Sequence, residues 1–305
     1  MSVPGPVDDG SIQVDGRRVG FRWYGTPADA ASTVVVSCHG GLSCGADAAL
    51  AHDAAAQRRV AVLAVDRPGI AGSDHLPGWS APDAAEDVVR VLDAVGTGTT
   101  AGVVGWSLGG QYALAVAALH PERTPRCEVV AGVPPLSWPD VEGSLSSLDR
   151  RLLGAVGRPW PAVARRTVIQ LLHLQARRSA GRWQADGTRR IGRAEHRTWG
   201  DTDAAVLAGP AGAAIDAAVA EATMSNEGIQ EEYRAWGRPW GFEPRDVTTP
   251  TVIWQGDRDR LVPSALGRRL SDAVPGASFR ACPGEGHLLI AARWGDILDD
   301  LLHAG

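Results

Sequence analysis

The stretch Val103-Val104-Gly105-Trp106-Ser107-Leu108-Gly109-Gly110 runs from an apolar strand-like segment through G-x-S-x-G straight into an Ala-rich helical segment. A serine held in so tight a turn has its hydroxyl lifted clear of both elements, and glycines two residues to either side remove the side chains that would collide there. Because a helix opens at this point, the amide of Leu108 and the positive end of the helix face the place where an oxyanion would develop. In a chain with 37 glycines the same five residues also describe an ordinary strand-to-helix turn, so the surrounding sequence has to decide.

A serine hydroxyl is a weak nucleophile without a base, and the base needs a carboxylate to orient it. The chain supplies both downstream. Gly256-Asp257-Arg258-Asp259-Arg260-Leu261-Val262-Pro263 follows one apolar run, and Pro283-Gly284-Glu285-Gly286-His287 follows the next. Serine, aspartate and histidine therefore appear in that order, each just past the carboxyl end of a predicted strand, where parallel α/β sheets collect their active sites.

The elements that must carry these groups are legible as an alternation of short β-branched runs and longer Ala-rich segments, the mark of a parallel sheet with helical crossovers. Strands are predicted at Thr33 to Cys38, Val60 to Asp66, Ala101 to Gly105, Cys127 to Ala131, Thr251 to Gln255 and Ala277 to Ala281, after a hairpin over Ser11 to Trp23 that turns at Asp15-Gly16. Helices are predicted at Asp47 to Gln57, Pro82 to Val95, Ser107 to Leu119, Ser264 to Ala273 and Leu288 to Leu302, the last with an apolar stripe at helical spacing. From Pro134 to Pro250 the rhythm breaks for far longer than one crossover needs. Candidate helices there are Leu145 to Val156, Pro161 to Arg178, Pro210 to Met224 and Glu227 to Trp236, which makes residues 134–249 a helical cap inserted into a core of residues 1–133 and 250–305.

Composition narrows the chemistry. All 30 basic residues are arginine, so mechanisms that need a lysine amine, such as Schiff-base, pyridoxal-phosphate and P-loop chemistry, are excluded. A net charge of −5 gives no global attraction to nucleic acid. No apolar stretch is long enough to span a bilayer, and Met1 to Gly10 does not read as a signal peptide. Cys38, Cys44, Cys127 and Cys282 lie in or beside apolar runs without C-x-x-C pairing, the pattern of reduced cysteines in a cytoplasmic protein, and neither a metal site nor an organic cofactor is called for. Oligomeric state is not readable.

Taken together, His39-Gly40-Gly41-Leu42, Asp66-Arg67-Pro68-Gly69-Ile70-Ala71-Gly72-Ser73-Asp74, Gly105 to Gly110, Gly256 to Pro263 and Gly286-His287 make the chain resemble the capped α/β-hydrolase fold family over nearly its whole length. The resemblance implies a mostly parallel eight-stranded sheet flanked by helices, with a helical cap after the sixth strand. It implies Ser107 as nucleophile, His287 as base and Asp259, rather than Asp257, as the acid, since the family's acid sits three residues after the glycine that ends its strand. It places the second oxyanion donor in the His39 to Leu42 run, with Gly41 first and Leu42 second, beside Leu108, and it makes His39 a loop brace. A serine nucleophile argues against the dehalogenase and epoxide hydrolase branches. Carboxylic ester hydrolysis is the leading expectation; a lactonase, C–C bond hydrolase, aminopeptidase, cofactor-free perhydrolase or acyltransferase would use the same residues, and a ligand receptor on a hydrolase scaffold is the alternative of another class.

The remaining features read more plainly. Asp66 to Asp74 lacks G-x-G-x-x-G spacing and shapes a turn beside the site. The arginines from Arg177 to Arg197 alternate with Gly, Asp and Glu and read as a solvated face. Glu285 is a surface turn residue. Six of the eleven tryptophans (Trp138, Trp160, Trp183, Trp199, Trp236, Trp240) fall in the insertion. They either pack it onto the core or line a cleft for a small, largely apolar substrate, with Trp106 and Trp138 as pocket candidates.

Overall fold

The computed structural model describes residues 3–98, 100–157, 162–180, 183–184 and 188–303. The chain opens with the antiparallel hairpin β1 (Asp8–Val14) and β2 (Arg17–Gly25), turning at Asp15 and Gly16, both at positive φ. Then come β3 (Thr33–Cys38), a 3-10 turn (Gly45–Ala51), α1 (His52–Gln57), β4 (Val60–Val65), α2 (Ala81–Ala94), β5 (Gly102–Trp106), α3 (Gly109–Leu119) and β6 (Cys127–Val130). Between β6 and the next strand lie α4 (Val141–Ser144), α5 (Ser147–Gly157), α6 (Ala162–Ala180), α7 (Arg193–Ala208), α8 (Pro210–Ala222) and α9 (Asn226–Trp236). The chain closes with β7 (Thr251–Gly256), α10 (Ser264–Ala273), β8 (Ser278–Cys282), a 3-10 turn (His287–Leu289) and α11 (Ile290–His303).

The eight strands form one sheet in the order β1-β2-β4-β3-β5-β6-β7-β8, parallel from β4 onward, with β2 antiparallel to β4. Its central strands are buried on both faces, which is why they read as unbroken apolar runs rather than alternations. The period of two survives in three dimensions. Val34, Val36, Leu63, Val103 and Ile253 join the core cluster that includes α2 and α3, while Val35, Val62, Val104 and Trp254 join the one that includes α11.

Two predicted elements are corrected. The helix predicted over Asp47 to Gln57 divides into a 3-10 turn followed by α1. In the insertion, α7 falls where the alternation of arginine with small and acidic residues reads as an exposed face. Most of those arginines are exposed, but Arg189 is buried between Glu195 and Asp216. Pro161, at the predicted start of α6, and Trp160 lie outside the described residues. The inserted helices share both clusters with the sheet: Ile229, Tyr233, Trp236 and Trp240 belong to one, Leu207 and Ile215 to the other. Among the described residues no single helix is long and apolar enough to cross a membrane.

Candidate active site

Ser107 follows β5 directly and takes φ +54°, the left-handed region that an L-residue avoids unless the surroundings enforce it. Those surroundings are close-packed backbone. A side chain at Gly105 would run into the Gly109 carbonyl, and one at Gly109 into the Cys38 carbonyl, so only glycine fits at either position. The helix proper begins at Gly109 rather than at the serine, leaving Leu108 as the residue ahead of it.

His287 and Asp259 come to the same end of the sheet on the turns after β8 and β7. His287 Nε2 is 2.9 Å from Ser107 Oγ, and its Nδ1 is 2.9 Å from Asp259 Oδ2. A carboxylate only accepts, so Nδ1 carries the proton and the neutral ring presents Nε2 as acceptor to the serine hydroxyl. Asp259 is held in turn. Its Oδ1 accepts the amides of Leu261 and Val262, both at 2.8 Å, and its Oδ2 also accepts Gln255 Nε2 at 2.9 Å. Asp257, the other aspartate of that turn, is exposed and accepts the Gly284 amide instead. Burial alone would lower the pKa of the His287 imidazole, but Asp259, through charge and hydrogen bond, and then Asp203 and Asp149 hold it above its ordinary value. His287 is 3 % exposed, whereas Ser107 is half-buried and reachable.

The loop after β3 is fixed almost atom by atom. Arg67 donates through Nη1 to the His39 carbonyl at 2.6 Å and through Nη2 to the Gly40 carbonyl at 2.7 Å; the Gly40 amide donates to Asp47 at 3.0 Å. The Leu42 amide, a candidate oxyanion donor, donates to Glu232 Oε2 at 3.1 Å, and the opposite oxygen of Glu232 accepts Arg67 Nε and Nη2. Leu42 is therefore already engaged. The Gly41 amide has no partner among the described residues, and Gly41 abuts the elbow: a Cβ there would lie 3.3 Å from Leu108 Cδ2. His39 braces this loop as expected, its Nδ1 meeting the Gly40 carbonyl and its Nε2 the Arg67 amide. Burial, reinforced by Arg67, lowers its pKa well below the ordinary value, so it stays neutral. Asp66 accepts the amides of Gly45 and Gly72 and pairs with Arg22, which shapes the turn predicted for it. Glu285 sits in its turn and pairs with Arg293.

The pocket candidates fare differently. Trp106 continues the strand alternation from Val104 and so faces the α11 side of the sheet, where its Nε1 donates to the His287 carbonyl at 3.1 Å. Trp138 lies under the Arg269 guanidinium of α10, 4.6 Å from its ring centre, and makes no described contact with Ser107 or His287. Of the inserted tryptophans described, Trp199 on α7 is the one that reaches the site, its ring centre 6.2 Å from that of His287. Two buried carboxylates from the insertion, Asp203 and Glu232, also reach the site's loops. No sequence motif marks them, because each finds its partner by folding rather than by spacing.

Residues 33–291 match the family model for the alpha/beta hydrolase fold. Among curated proteins, a pimeloyl-[acyl-carrier protein] methyl ester esterase of Chromobacterium violaceum is 29% identical over 272 residues, covering 83% of this chain and 86% of that protein. Among solved structures, an enol-lactonase from Burkholderia xenovorans LB400 superposes with a TM-score of 0.67 at 19% identity, covering 96% of this chain and 99% of the other. An esterase from Rhodococcus sp. ECU1013 superposes with a TM-score of 0.66 at 20% identity, covering 98% and 99%. At these identities the solved structures speak for the fold.

Proposed function

The chain belongs to the alpha/beta hydrolase fold family, and on that premise we propose that it is a serine esterase that cleaves small, largely apolar carboxylic esters through Ser107, His287 and Asp259. One observation carries the reading: the His287 imidazole lies 2.9 Å from a reachable serine hydroxyl on one side and 2.9 Å from a firmly held carboxylate on the other. In the first half-reaction His287 takes the Ser107 proton as Oγ attacks the ester carbonyl. The amides of Leu108 and Gly41 receive the negative charge on the carbonyl oxygen, and Asp259 stabilises the imidazolium. The imidazolium then returns that proton to the departing alcohol, leaving an acyl-serine. Water, deprotonated by the same histidine, releases the acid and restores the hydroxyl.

The ester as scissile bond is supported by the curated relative, whose name is that of a methyl ester esterase. The apolar preference is supported by Trp199 beside His287. A formed hydrogen-bond chain from Asp259 to Ser107 favours turnover over the receptor alternative. The test is a panel of chromogenic esters with short, long and aromatic acyl groups, together with an organophosphate label. Wild type turns over repeatedly and is labelled at Ser107, and Ser107→Ala loses about 10³- to 10⁶-fold in kcat. A flat profile across the panel refutes the apolar preference, and full activity in Ser107→Ala refutes the mechanism.

A further inference from the structure

Behind His287 stands a second carboxylate outside the hydrogen-bond chain that ends on Ser107. Asp203, on α7, is 1 % exposed, and its oxygens divide between two successive amides. The His287 amide donates to Oδ2 at 2.8 Å and the Leu288 amide to Oδ1 at 2.9 Å. These amides open the 3-10 turn that leads into α11, where no carbonyl of the same turn can pair with them. The position is shaped for this contact, since any side chain at Gly286 would occupy the place of the Asp203 carboxylate. A buried carboxylate needs compensation, yet no arginine pairs with Asp203 among the described residues; burial raises its pKa, and the two amides and the nearby His287 oppose that rise. The groups facing the His287 ring are the Ser107 hydroxyl from the elbow, Asp259 from the turn after β7, the rings of Trp106 and Trp199, and the charges of Asp203 on α7 and Asp149 on α5.

We propose that Asp203 is a positioning residue for His287: it fixes the backbone from which the imidazole is aimed, and its charge offsets the positive charge that His287 acquires on taking the serine proton. The insertion thereby sets both the geometry and the acid–base balance of a base that belongs to the sheet. This rests on the reading of His287 as general base.

The test uses Asp203→Asn in the full chain. Asparagine keeps the size and one acceptor oxygen but removes the charge and turns an amide group toward a backbone N–H. The Cε1 proton of His287, followed by NMR, titrates at lower pH than in wild type, because the imidazolium has lost an anionic neighbour. The acidic limb of kcat/KM moves the same way, and kcat falls roughly 10- to 100-fold with KM nearly unchanged. Asp203→Ser, smaller and equally neutral, gives the same displacement and carries the test if the asparagine variant does not fold. A folded neutral variant with the wild-type titration and kcat overturns the proposal. So does failure of both variants to fold, which would make Asp203 a folding residue only. Absence of ester turnover in wild type would sink the esterase reading by itself, since the titration needs no substrate.

Discussion

The sheet and the inserted helices both bring buried carboxylates to the active site, but aim them at different kinds of partner. Asp259, on a turn of the sheet, meets a side chain that changes protonation during the proposed reaction. Asp203 and Glu232, on α7 and α9, meet backbone amides and, for Glu232, the Arg67 guanidinium, none of which gains or loses a proton in it. On the proposed mechanism the sheet supplies the groups between which the proton moves, and the insertion supplies groups that hold loops still. The first kind recurs at fixed places relative to strand ends, whereas the second arises wherever a folded helix leaves an amide within reach.

The sharpest way to break this contrast is at the two aspartates of one turn. Asp259→Asn replaces the ionised acceptor of the His287 Nδ1–H with an amide whose NH2 can donate to Nδ1 and favour the wrong tautomer, and should lower kcat about 10⁴-fold with a native circular dichroism spectrum. Asp257→Asn touches only an exposed amide and should stay within about twofold. Equal losses in both would erase the distinction. The next largest effect is at Glu232. Glu232→Ala strands the buried Arg67 guanidinium and frees the Leu42 amide, so it should cost about 3 to 5 kcal/mol of stability by denaturant titration. It should also lower kcat roughly tenfold or more by loosening the loop that carries Gly41. An unchanged midpoint would mean that the insertion does not hold this loop.

The smallest effect is a control that bonds to neither set. Glu128 on β6 is fully buried, one oxygen bonded to the Trp254 indole and the other without a partner. Burial, opposed by that indole, pushes its pKa from 4.5 up to about 8. The folded chain then keeps a proton that the unfolded chain releases, and stability falls as pH rises across that interval. Glu128→Gln should raise the melting temperature by about 2 °C or more at pH 8, less at pH 5, with kcat unchanged. A pH-independent difference would refute the assigned protonation.

Much of this fold is legible in the sequence. The six predicted parallel strands and the hairpin appear within a residue or a few of their expected ends; five of the six are buried on both faces and so are short, apolar and β-branched, while β8 is a largely exposed edge strand. That Ser107, Asp259 and His287 lie within hydrogen-bond reach of one another was readable from the glycines of the turn, from an acid and a base that follow strands and, for Asp259 over Asp257, from the family resemblance. The rest was not. The first turns of α7, Arg193 to Gly200, lack an apolar stripe and are broken by Gly200 at φ +80°, so the periodicity that reveals α11 is missing. Arg189 reads as exposed until Glu195 and Asp216 close on it. Trp138 reads as a pocket wall only because its ring is large, and where a ring points depends on the helix behind it.

Gly41 and Leu108 belong to the loop after β3 and the elbow after β5, and those strands are direct neighbours, paired from Val35 with Gly102 to Cys38 with Gly105. The gap between the two amide hydrogens is therefore framed by two neighbouring strand ends, and the clasp of Arg67 and Glu232 fixes the short loop that remains. Such a gap keeps its width for as long as ladder and clasp both hold. Heating should leave catalysis intact up to the point at which far-ultraviolet dichroism collapses, with both signals vanishing in a single step.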